Sequence, residues 1–245
     1  MRLAIVTDIH GNRHALLAVL DDLQRQGVDD VVFGGDAALF GSRPRECWEY
    51  VLELGWHVVQ GNTDRYIAKL EEKLSTLADP ASIHAQFLRT NVDWASDRLG
   101  PSLIQAMGKM TSEIRFDSSA GTLLVVHGVP GDDEIGWARN DDEQEIAGKL
   151  GNPNAAVVVS GHTHTAAIRY VNNILAVNCG SVGRSHDGQP GLATYTVLED
   201  TTGRWSANLR CVTYDEIAAH ADLIDTGVPI PETFASTLLT GIEPR

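Results

Sequence analysis

The chain has 245 residues and a formal net charge of −14 at pH 7. This length is sufficient for one large α/β domain with its own hydrophobic core. The acidic balance argues against a general affinity for nucleic-acid backbones or anionic membranes. It stays compatible with a small phosphate substrate if bound cations reverse the local field.

Apolar runs in the first two thirds of the chain predict buried parallel strands, because such continuous runs are typical of strands covered on both faces. A polar cluster follows or closes each run. Ligands gather at the carboxyl ends of strands in α/β sheets, so we expect the clusters to meet at one edge. The runs are residues 3–6, 31–33, 57–59, 123–126 and 156–159.

Helical patterns separate these strands. Asn12 is a suitable N-cap for a first helix, and Gly27 is suited to its end. Residues 43–53 predict a second helix. The charged helical pattern over about residues 65–110 predicts a helical insert beside the site, a cap rather than a separate domain. A strand over residues 113–117 should follow.

The periodicity changes after residue 161, where four short β-rich segments predict a second, largely antiparallel sheet. The tail from about residue 213 predicts one helix and a proline-containing end on the surface. We therefore expect a single α/β domain over residues 1–245, a four-layer α/β/β/α sandwich of two mixed sheets flanked by helices. The four segments are residues 166–171, 174–177, 193–198 and 205–211.

The polar clusters carry side chains that bind metal ions. Taken singly, most of them are common turns, and a lone histidine after a strand is usually a core residue. The two histidines around Thr163 have no packing role at a strand end. Together the clusters supply two carboxylates, one carboxamide and four imidazoles, a ligand set for two ions. The residues are Asp8, His10, Asp36, Asn62, His127, His162 and His164.

The ordered motifs D-x-H, G-D, G-N, a lone H and G-H-x-H resemble the calcineurin-like metallophosphoesterase superfamily, especially its small bacterial and archaeal phosphodiesterases. The resemblance implies that a water between two ions attacks phosphorus. Mixed oxygen and imidazole ligands suit manganese, iron or zinc. The implied ligands are Asp8, His10 and His164 for the first ion and Asn62, His127 and His162 for the second, with Asp36 bridging both.

The third motif departs from the family pattern, in which a histidine follows the asparagine and is thought to protonate the leaving oxygen. Thr63 stands there in this chain, and threonine cannot supply a proton near neutral pH. The proton-donor role falls to Asp64, to a water, or to no group. Asp36, Asn62 and Asp64 are therefore the expected catalytic residues, and substrates with good leaving groups are expected.

Three further residues are candidates for contact with the substrate. Asn12 could touch it as well as cap its helix, and capping is the simpler interpretation. Arg65 and Arg184 suit bidentate contact with a phosphate group, although solvated arginines are the default. The loop that contains His186 either approaches the metals or forms an exposed turn.

These features predict a dimetal hydrolase that acts on a small phosphodiester. The alternative among enzymes is a phosphomonoesterase, including one similar to protein phosphatases. The alternative outside enzymes is a metal-binding interaction scaffold of the same fold, and the retention of all seven ligands argues against it. The acidic balance and the absence of a basic track argue against long nucleic acid as a partner.

The three cysteines show no CxxC spacing, which predicts free thiols and a reducing cytoplasm. No signal peptide precedes the first apolar run, and no apolar stretch is long enough to span a bilayer. We therefore expect a cytoplasmic protein without a membrane partner. The sequence leaves open whether it forms a homo-oligomer.

Overall fold

This computed structural model of the protein describes residues 1–201, 203–230 and 232–242. Its strands are β1 (Arg2–Val6), β2 (Asp30–Phe33), β3 (His57–Val58), β4 (Glu113–Phe116), β5 (Leu123–Val126), β6 (Val157–Ser160), β7 (Ala167–Val171), β8 (Ile174–Asn178), β9 (Leu192–Thr201) and β10 (Arg204–Thr213). Its helices are α1 (Arg13–Gln26), α2 (Pro44–Glu53), α3 (Asn62–Ala68), α4 (Leu70–Ser75), α5 (Ile83–Leu99), α6 (Pro101–Met107), α7 (Glu143–Leu150), α8 (Glu216–Thr226), α9 (Glu232–Ala235) and α10 (Thr237–Thr240).

Two mixed five-stranded sheets pack face to face, with helices on their outer faces. The first sheet has the order β10-β9-β1-β2-β3, and β1, β2 and β3 run parallel in it. The second has the order β4-β5-β6-β8-β7, with β5, β6 and β8 parallel. This is the predicted α/β/β/α sandwich.

Side chains of the inner strands alternate between two apolar layers, as the pleat of a strand requires. In β1, Leu3 and Ile5 pack in the core between the sheets, whereas Ala4 and Val6 pack against helices. The same alternation recurs in β5, where Leu124 belongs to the core beneath α7. A slip of one residue would exchange the two layers, so this packing determines the register.

The prediction that the last four strands form their own antiparallel sheet is wrong. The β7–β8 hairpin joins the second sheet, where β8 pairs in parallel with β6. The β9–β10 pair joins the first sheet, where β9 is antiparallel to β1. Residues 193–198 of β9 are buried without a break. Because β9 lies beside β1, between the helices and the second sheet, both faces of β9 are covered.

Local signals place the first two helices where they were predicted. The Asn12 side chain accepts a hydrogen bond from Ala15 N at 3.1 Å, and Gly27 ends α1 with a left-handed backbone, φ 60°. Helix α2 buries Trp48 and Val51 completely. None of the helices in the described part of the chain combines the length and apolar character that a bilayer crossing requires.

Helices α3 to α6 form the helical segment predicted between the third and fourth strands. It begins at Asn62 rather than near residue 65, because Gly61 is the N-cap of α3. Its buried side chains, such as Leu88 and Val92, share one core with Trp48 of α2. This segment therefore covers the outer face of the first sheet.

The tail after β10 differs from its prediction. One helix was expected there, whereas the structure contains α8, α9 and α10. The last two have four residues each, which is too short for a helical period to be visible in the sequence. Residues 231 and 243–245, which include two of the tail prolines, lie outside the described residues.

Candidate metal centre

The polar clusters meet at one edge of the sandwich. The loops after β1 and β2 come from the first sheet, and those after β5 and β6 come from the second. The N-terminus of α3 completes the group. The structure thus brings together all seven candidate ligands, which are Asp8, His10, Asp36, Asn62, His127, His162 and His164.

Asp8, His10 and His164 form a first group of potential ligands. The two imidazole Nε2 atoms lie 3.1 Å apart. Asp8 Oδ1 lies 3.2 Å from His164 Nε2 and 3.7 Å from His10 Nε2. Three ligand atoms within such distances can hold one metal ion.

A second group lies beside the first and shares Asp8 with it. It contains Asp36 and His127, with Asp36 Oδ2 3.5 Å from His127 Nε2. Asn62 Oδ1 lies 3.0 Å from His127 Nε2 and 3.2 Å from His162 Nδ1. Asp36 Oδ2 also lies 3.6 Å from His10 Nε2. One carboxylate oxygen of Asp36 is therefore within reach of both groups.

Backbone carbonyls orient two of the imidazoles. His10 Nδ1 donates to Leu39 O at 3.0 Å, and His127 Nδ1 donates to Gly34 O at 2.9 Å. A carbonyl oxygen can only accept, so each Nδ1 carries a proton and each Nε2 is the nitrogen that faces the cluster. This is the tautomer that binds a metal ion through Nε2.

The charges of the cluster favour a cation. Burial opposes ionisation of Asp36 and Asp8, but nearby imidazoles outweigh it. They lower the pKa of Asp36 to about 2 and that of Asp8 well below its usual range. Burial also opposes a charge on His127, whose pKa the two carboxylates raise to about 10. Burial lowers the pKa of His162 and His164, which keeps them neutral.

The donor set fits divalent metal ions. Asp8 Oδ2 accepts hydrogen bonds from Thr7 Oγ1 at 2.7 Å and from His162 N at 3.1 Å. Asp8 Oδ1 is buried and has no hydrogen-bond partner among the described residues. A buried anionic oxygen that faces imidazole lone pairs requires a positive charge between them. Metal ions would supply that charge.

Five of the seven candidate ligands have left-handed backbones. They are Asp8 (φ 57°), His10 (φ 46°), Asp36 (φ 64°), His162 (φ 66°) and His164 (φ 58°). The neighbouring glycines allow close contact, since a Cβ on Gly61 would overlap the Asp36 carboxylate and one on Gly161 would overlap Asp8. The motif glycines are therefore required by the packing around the ligands.

The residues after Asn62 support the loop of Asp36. Both Asp64 oxygens accept backbone hydrogen bonds, from Asp36 N at 2.8 Å, Ala37 N at 2.9 Å and Gly61 N at 3.0 Å. The Asp64 side chain has no exposed surface, so the geometry gives no support to a proton-donor role for it. Burial and the charge of Asp36 raise the pKa of Asp64 to about 6.

A cavity of about 710 Å³ opens beside the cluster. Thr63 and Arg184 border it, together with His186, whose ring centroid lies 4.8 Å from that of His164. Arg184 is buried, and its Nη2 donates to Phe234 O at 2.9 Å and to Thr237 Oγ1 at 2.8 Å. The loop of His186 thus approaches the candidate ligands rather than forming an exposed turn.

The other two candidate substrate contacts do not line this cavity. Arg65 makes two hydrogen bonds of 2.7 Å to Asp133 and one of 2.7 Å to Glu134. These contacts tie α3 to the loop after β5. Asn12 caps α1, and its Nδ2 donates to Gly183 O at 2.9 Å. Both side chains therefore hold neighbouring loops.

Sequence reasoning missed two kinds of residue here. Phe40 and Phe234 border the cavity, and neither belongs to a polar motif. Asn178 Nδ2 donates to Gly161 O at 3.0 Å, and Ser181 Oγ donates to Asp8 O at 2.8 Å, so both hold ligand loops in place. The supporting role of the turn 178–181 follows only from these contacts.

The model of a protein family described as "calcineurin-like phosphoesterase superfamily domain" matches residues 1–203 of the chain. The chain therefore belongs to this family of metal-dependent hydrolases, which use two metal ions and act on phosphoester bonds. The family resemblance expected from the motifs is confirmed.

The chain is also similar to solved structures and to a curated relative. A metallophosphoesterase from Sphaerobacter thermophilus is 25% identical, with a TM-score of 0.76 over 99% of both chains. Hypothetical protein PH1004 from Pyrococcus horikoshii OT3 has the same fold, with 17% identity and a TM-score of 0.82 over 98% of both chains. Uncharacterized protein MJ0912 from Methanocaldococcus jannaschii is 39% identical over 62 residues. That match covers 25% of this chain and 26% of the relative.

Proposed function

We propose that this enzyme hydrolyses a small phosphodiester with two bound divalent ions. The observation that carries the proposal is the position of Asp36 Oδ2, 3.6 Å from His10 Nε2 and 3.5 Å from His127 Nε2. A carboxylate between two imidazole groups is placed to bridge two ions. Such a pair of ions activates a water and stabilises the charge of the transferring phosphoryl group.

The proposed ligand assignment follows the two groups. Mixed oxygen and nitrogen donors without thiolate suit manganese, iron or zinc, and we name manganese as the first ion to test. The proposed assignment is Asp8, His10 and His164 for the first ion and Asn62, His127 and His162 for the second, with Asp36 between them.

The walls of the cavity favour a diester over a monoester. Among the described residues that line it, Arg184 is the single arginine or lysine. A monoester carries up to two negative charges and one substituent, whereas a diester carries one charge and two substituents. Phe40, Ala138 and Phe234 add apolar surface to the cavity. One cationic side chain with apolar walls suits the lower charge and the second substituent.

A phosphomonoesterase is the second candidate, because the same ligand set can orient either ester. Arg184 is the observation in its favour, since a guanidinium can bind two phosphate oxygens. Its existing hydrogen bonds to Phe234 O and Thr237 Oγ1 reduce the number of donors left for a phosphate. The diester is therefore preferred.

Hydrolysis of methyl p-nitrophenyl phosphate and of p-nitrophenyl phosphate, with manganese, iron(II) or zinc added, tests this proposal. We expect kcat/KM for the diester to exceed that for the monoester by about tenfold or more, which corresponds to about 1.4 kcal/mol. Asp36→Asn should lower both activities by at least about 100-fold, because it removes the bridging charge.

Asp30→Asn is the matched control, because Asp30 begins β2 at the opposite end from Asp36 and pairs with His57 at 2.8 Å. This variant should retain wild-type activity. Equal rates for the wild type and Asp36→Asn with every metal would contradict the proposal. A preference for the monoester would leave the metal centre in place and replace the diester with the second candidate.

We also propose a cellular compartment and a class of partner for the enzyme. Cys47, Cys179 and Cys211 are free thiols, which supports a reducing cytoplasm. The formal charge of −14 supports a small anionic substrate bound through metal ions rather than long nucleic acid. A measurement of molecular mass in solution would show whether the chain associates with a second copy of itself.

A further inference from the structure

Three of the five phenylalanines of the chain cluster beside the metal ligands. Phe40 and Phe87 are stacked, with ring centroids 5.7 Å apart and planes 9° from parallel. Phe234 meets both rings edge-on, with its centroid 5.4 Å from that of Phe40 and 6.3 Å from that of Phe87. We name this cluster the phenylalanine wall.

The phenylalanine wall faces the substrate cavity. Phe40 and Phe234 line the cavity, and all three rings are only partly buried. The Phe40 ring centroid lies 6.5 Å from that of His10. The phenylalanine wall and the candidate ligand His10 therefore border the same cavity as neighbours.

The surrounding structure holds the wall in place. The Arg184 guanidinium lies 3.4 Å from the centroid of Phe234, and its Nη2 donates to the carbonyl oxygen of that same residue. Phe40 has a left-handed backbone, φ 69°, a strained conformation for a residue with a side chain. Such strain is typical of functional positions.

The wall is assembled from three separate parts of the chain. Phe40 comes from the loop between β2 and α2, Phe87 from α5 of the helical segment, and Phe234 from α9. Phe234 lies beyond residues 1–203, the part that matches the family. Phe40 and Phe87 lie within that part, so the wall combines two residues of the matched domain with one residue of the tail.

We propose that the phenylalanine wall binds an aromatic substituent of the substrate. The substrate class is then a phosphodiester whose retained, non-leaving substituent is aromatic, either an aryl ring or a nucleobase. The inference rests on the proposed function, because it names the substrate class of the same cavity. Partly exposed aromatic rings favour flat aromatic partners over alkyl groups.

Three p-nitrophenyl diesters that differ only in the second substituent test this proposal. The substituents are methyl, phenyl and 5′-thymidyl, so the leaving group stays constant. We expect KM for at least one aromatic diester to be about 5- to 100-fold lower than for the methyl diester, the range that stacking on aromatic side chains produces. In Phe234→Leu and in Phe40→Leu, KM for the aromatic diester should be at most about threefold lower than KM for the methyl diester.

Two variants control the test. Phe234→Tyr keeps an aromatic ring and should preserve most of the ratio. Phe116→Leu makes the same change in β4, where the ring packs against His57 far from the cavity, and should keep the wild-type ratio. If Phe40→Leu does not fold, Phe234→Leu decides the result, because its residue lies in a short surface helix.

The outcomes separate the two proposals. Preference for the thymidyl diester identifies a nucleobase as the aromatic group, and preference for the phenyl diester alone identifies a simple aryl ring. Turnover of all three diesters with equal KM would overturn the phenylalanine wall and leave the proposed function standing. A ratio that persists in Phe234→Leu and Phe40→Leu would also overturn it. Absence of turnover for every diester would overturn the proposed function itself.

Discussion

At the scale of single residues, five of the seven candidate metal ligands have strained backbones. A left-handed backbone costs roughly 1–2 kcal/mol for an L-residue, and less for aspartate and histidine than for branched residues. Asp8, His10, Asp36, His162 and His164 all adopt it. The buried strands on either side hold these turns, so the fold supplies the energy that keeps the ligands in position.

Thr63 occupies the position at which the usual motif pattern has a histidine. Its Oγ1 is buried and has no hydrogen-bond partner among the described residues, and its backbone N donates to Asp36 Oδ1 at 3.0 Å. Asp64, the other candidate donor, is occupied by three backbone N–H groups. Among the described side chains that line the cavity, His186 is the one imidazole outside the proposed ligand set. Burial lowers the pKa of His186 to about 3, so its ring carries no proton to donate near neutral pH.

We expect Thr63→His to raise activity selectively on esters with poor leaving groups. An imidazole can protonate the departing oxygen, and general-acid catalysis contributes about 10²–10⁴-fold. The measurement is kcat/KM for a series of diesters with leaving groups of graded pKa. The slope of log(kcat/KM) against that pKa should become shallower.

Thr63→Val is the matched control for this change. It keeps the shape of the side chain and removes only the unpartnered hydroxyl, so its slope should equal that of the wild type. An unchanged slope in Thr63→His would contradict a leaving-group limitation, and the proton would then come from another source such as water.

At the scale of secondary-structure elements, a buried charge joins α1 to the edge of the first sheet. Asp22 of α1 accepts a hydrogen bond from Tyr195 Oη of β9 at 2.6 Å. It also accepts hydrogen bonds from Arg210 of β10 at 3.1–3.2 Å. Burial raises the pKa of Asp22, but these partners outweigh it, and the pKa lies below its usual value.

We expect Asp22→Asn to destabilise the protein by about 1–3 kcal/mol at pH 7, because it removes the charge from these hydrogen bonds. A pKa that is lowered in the folded state stabilises the protein above the unfolded pKa, near 3.8 for aspartate, and this contribution disappears as the pH falls through the folded value. The difference from the wild type should therefore shrink below about pH 4. Urea unfolding between pH 7 and pH 3 measures it.

Asp21→Asn is the control, because Asp21 lies next to Asp22 on α1 but pairs with Arg25 at the surface. Surface ion pairs contribute little. We therefore expect a much smaller effect with little dependence on pH. A difference between Asp22→Asn and the wild type that stays constant with pH would show that packing, rather than charge, determines the contribution of Asp22.

At the scale of the whole molecule, the candidate metal centre lies between the two halves of the sandwich. Asp8 and Asp36 follow strands of the first sheet, whereas His127 and His162 follow strands of the second. An ion bound between these ligands resists separation of the sheets. Binding to the folded state alone also shifts the unfolding equilibrium by mass action.

We expect manganese or zinc to raise the melting temperature of the protein after treatment with a chelator. An ion at 100 times its dissociation constant adds about 2.7 kcal/mol. For a chain of this size, that is a rise of roughly 5–10 °C. Differential scanning calorimetry measures the shift. Asp36→Asn should show a smaller rise, and calcium, which prefers oxygen ligands, should have little effect. An unchanged melting temperature with manganese, iron(II) and zinc would contradict the metal centre.

Much of this fold could be predicted because its signals are local. The apolar runs determined the strands of the two sheets, and Asn12 and Gly27 marked the ends of α1. Short contacts between distant residues left no such signal. The bidentate Arg65–Asp133 contact and the backbone contacts of Asp64 depend on neighbours 68 and 27–28 residues away, so their roles could not be predicted.

The sequence by itself determined most of the strands, the longer helices and the chemical types of the seven candidate ligands, because periodicity, capping and donor chemistry are properties of neighbouring residues. Only the tertiary structure decided that β8 pairs with β6 and β9 with β1, since strand pairing depends on which faces must be buried. It also decided that Phe40, Phe87 and Phe234 meet at one cavity. Apolar side chains carry no directional signal in the sequence, so their meeting depends on how distant segments pack.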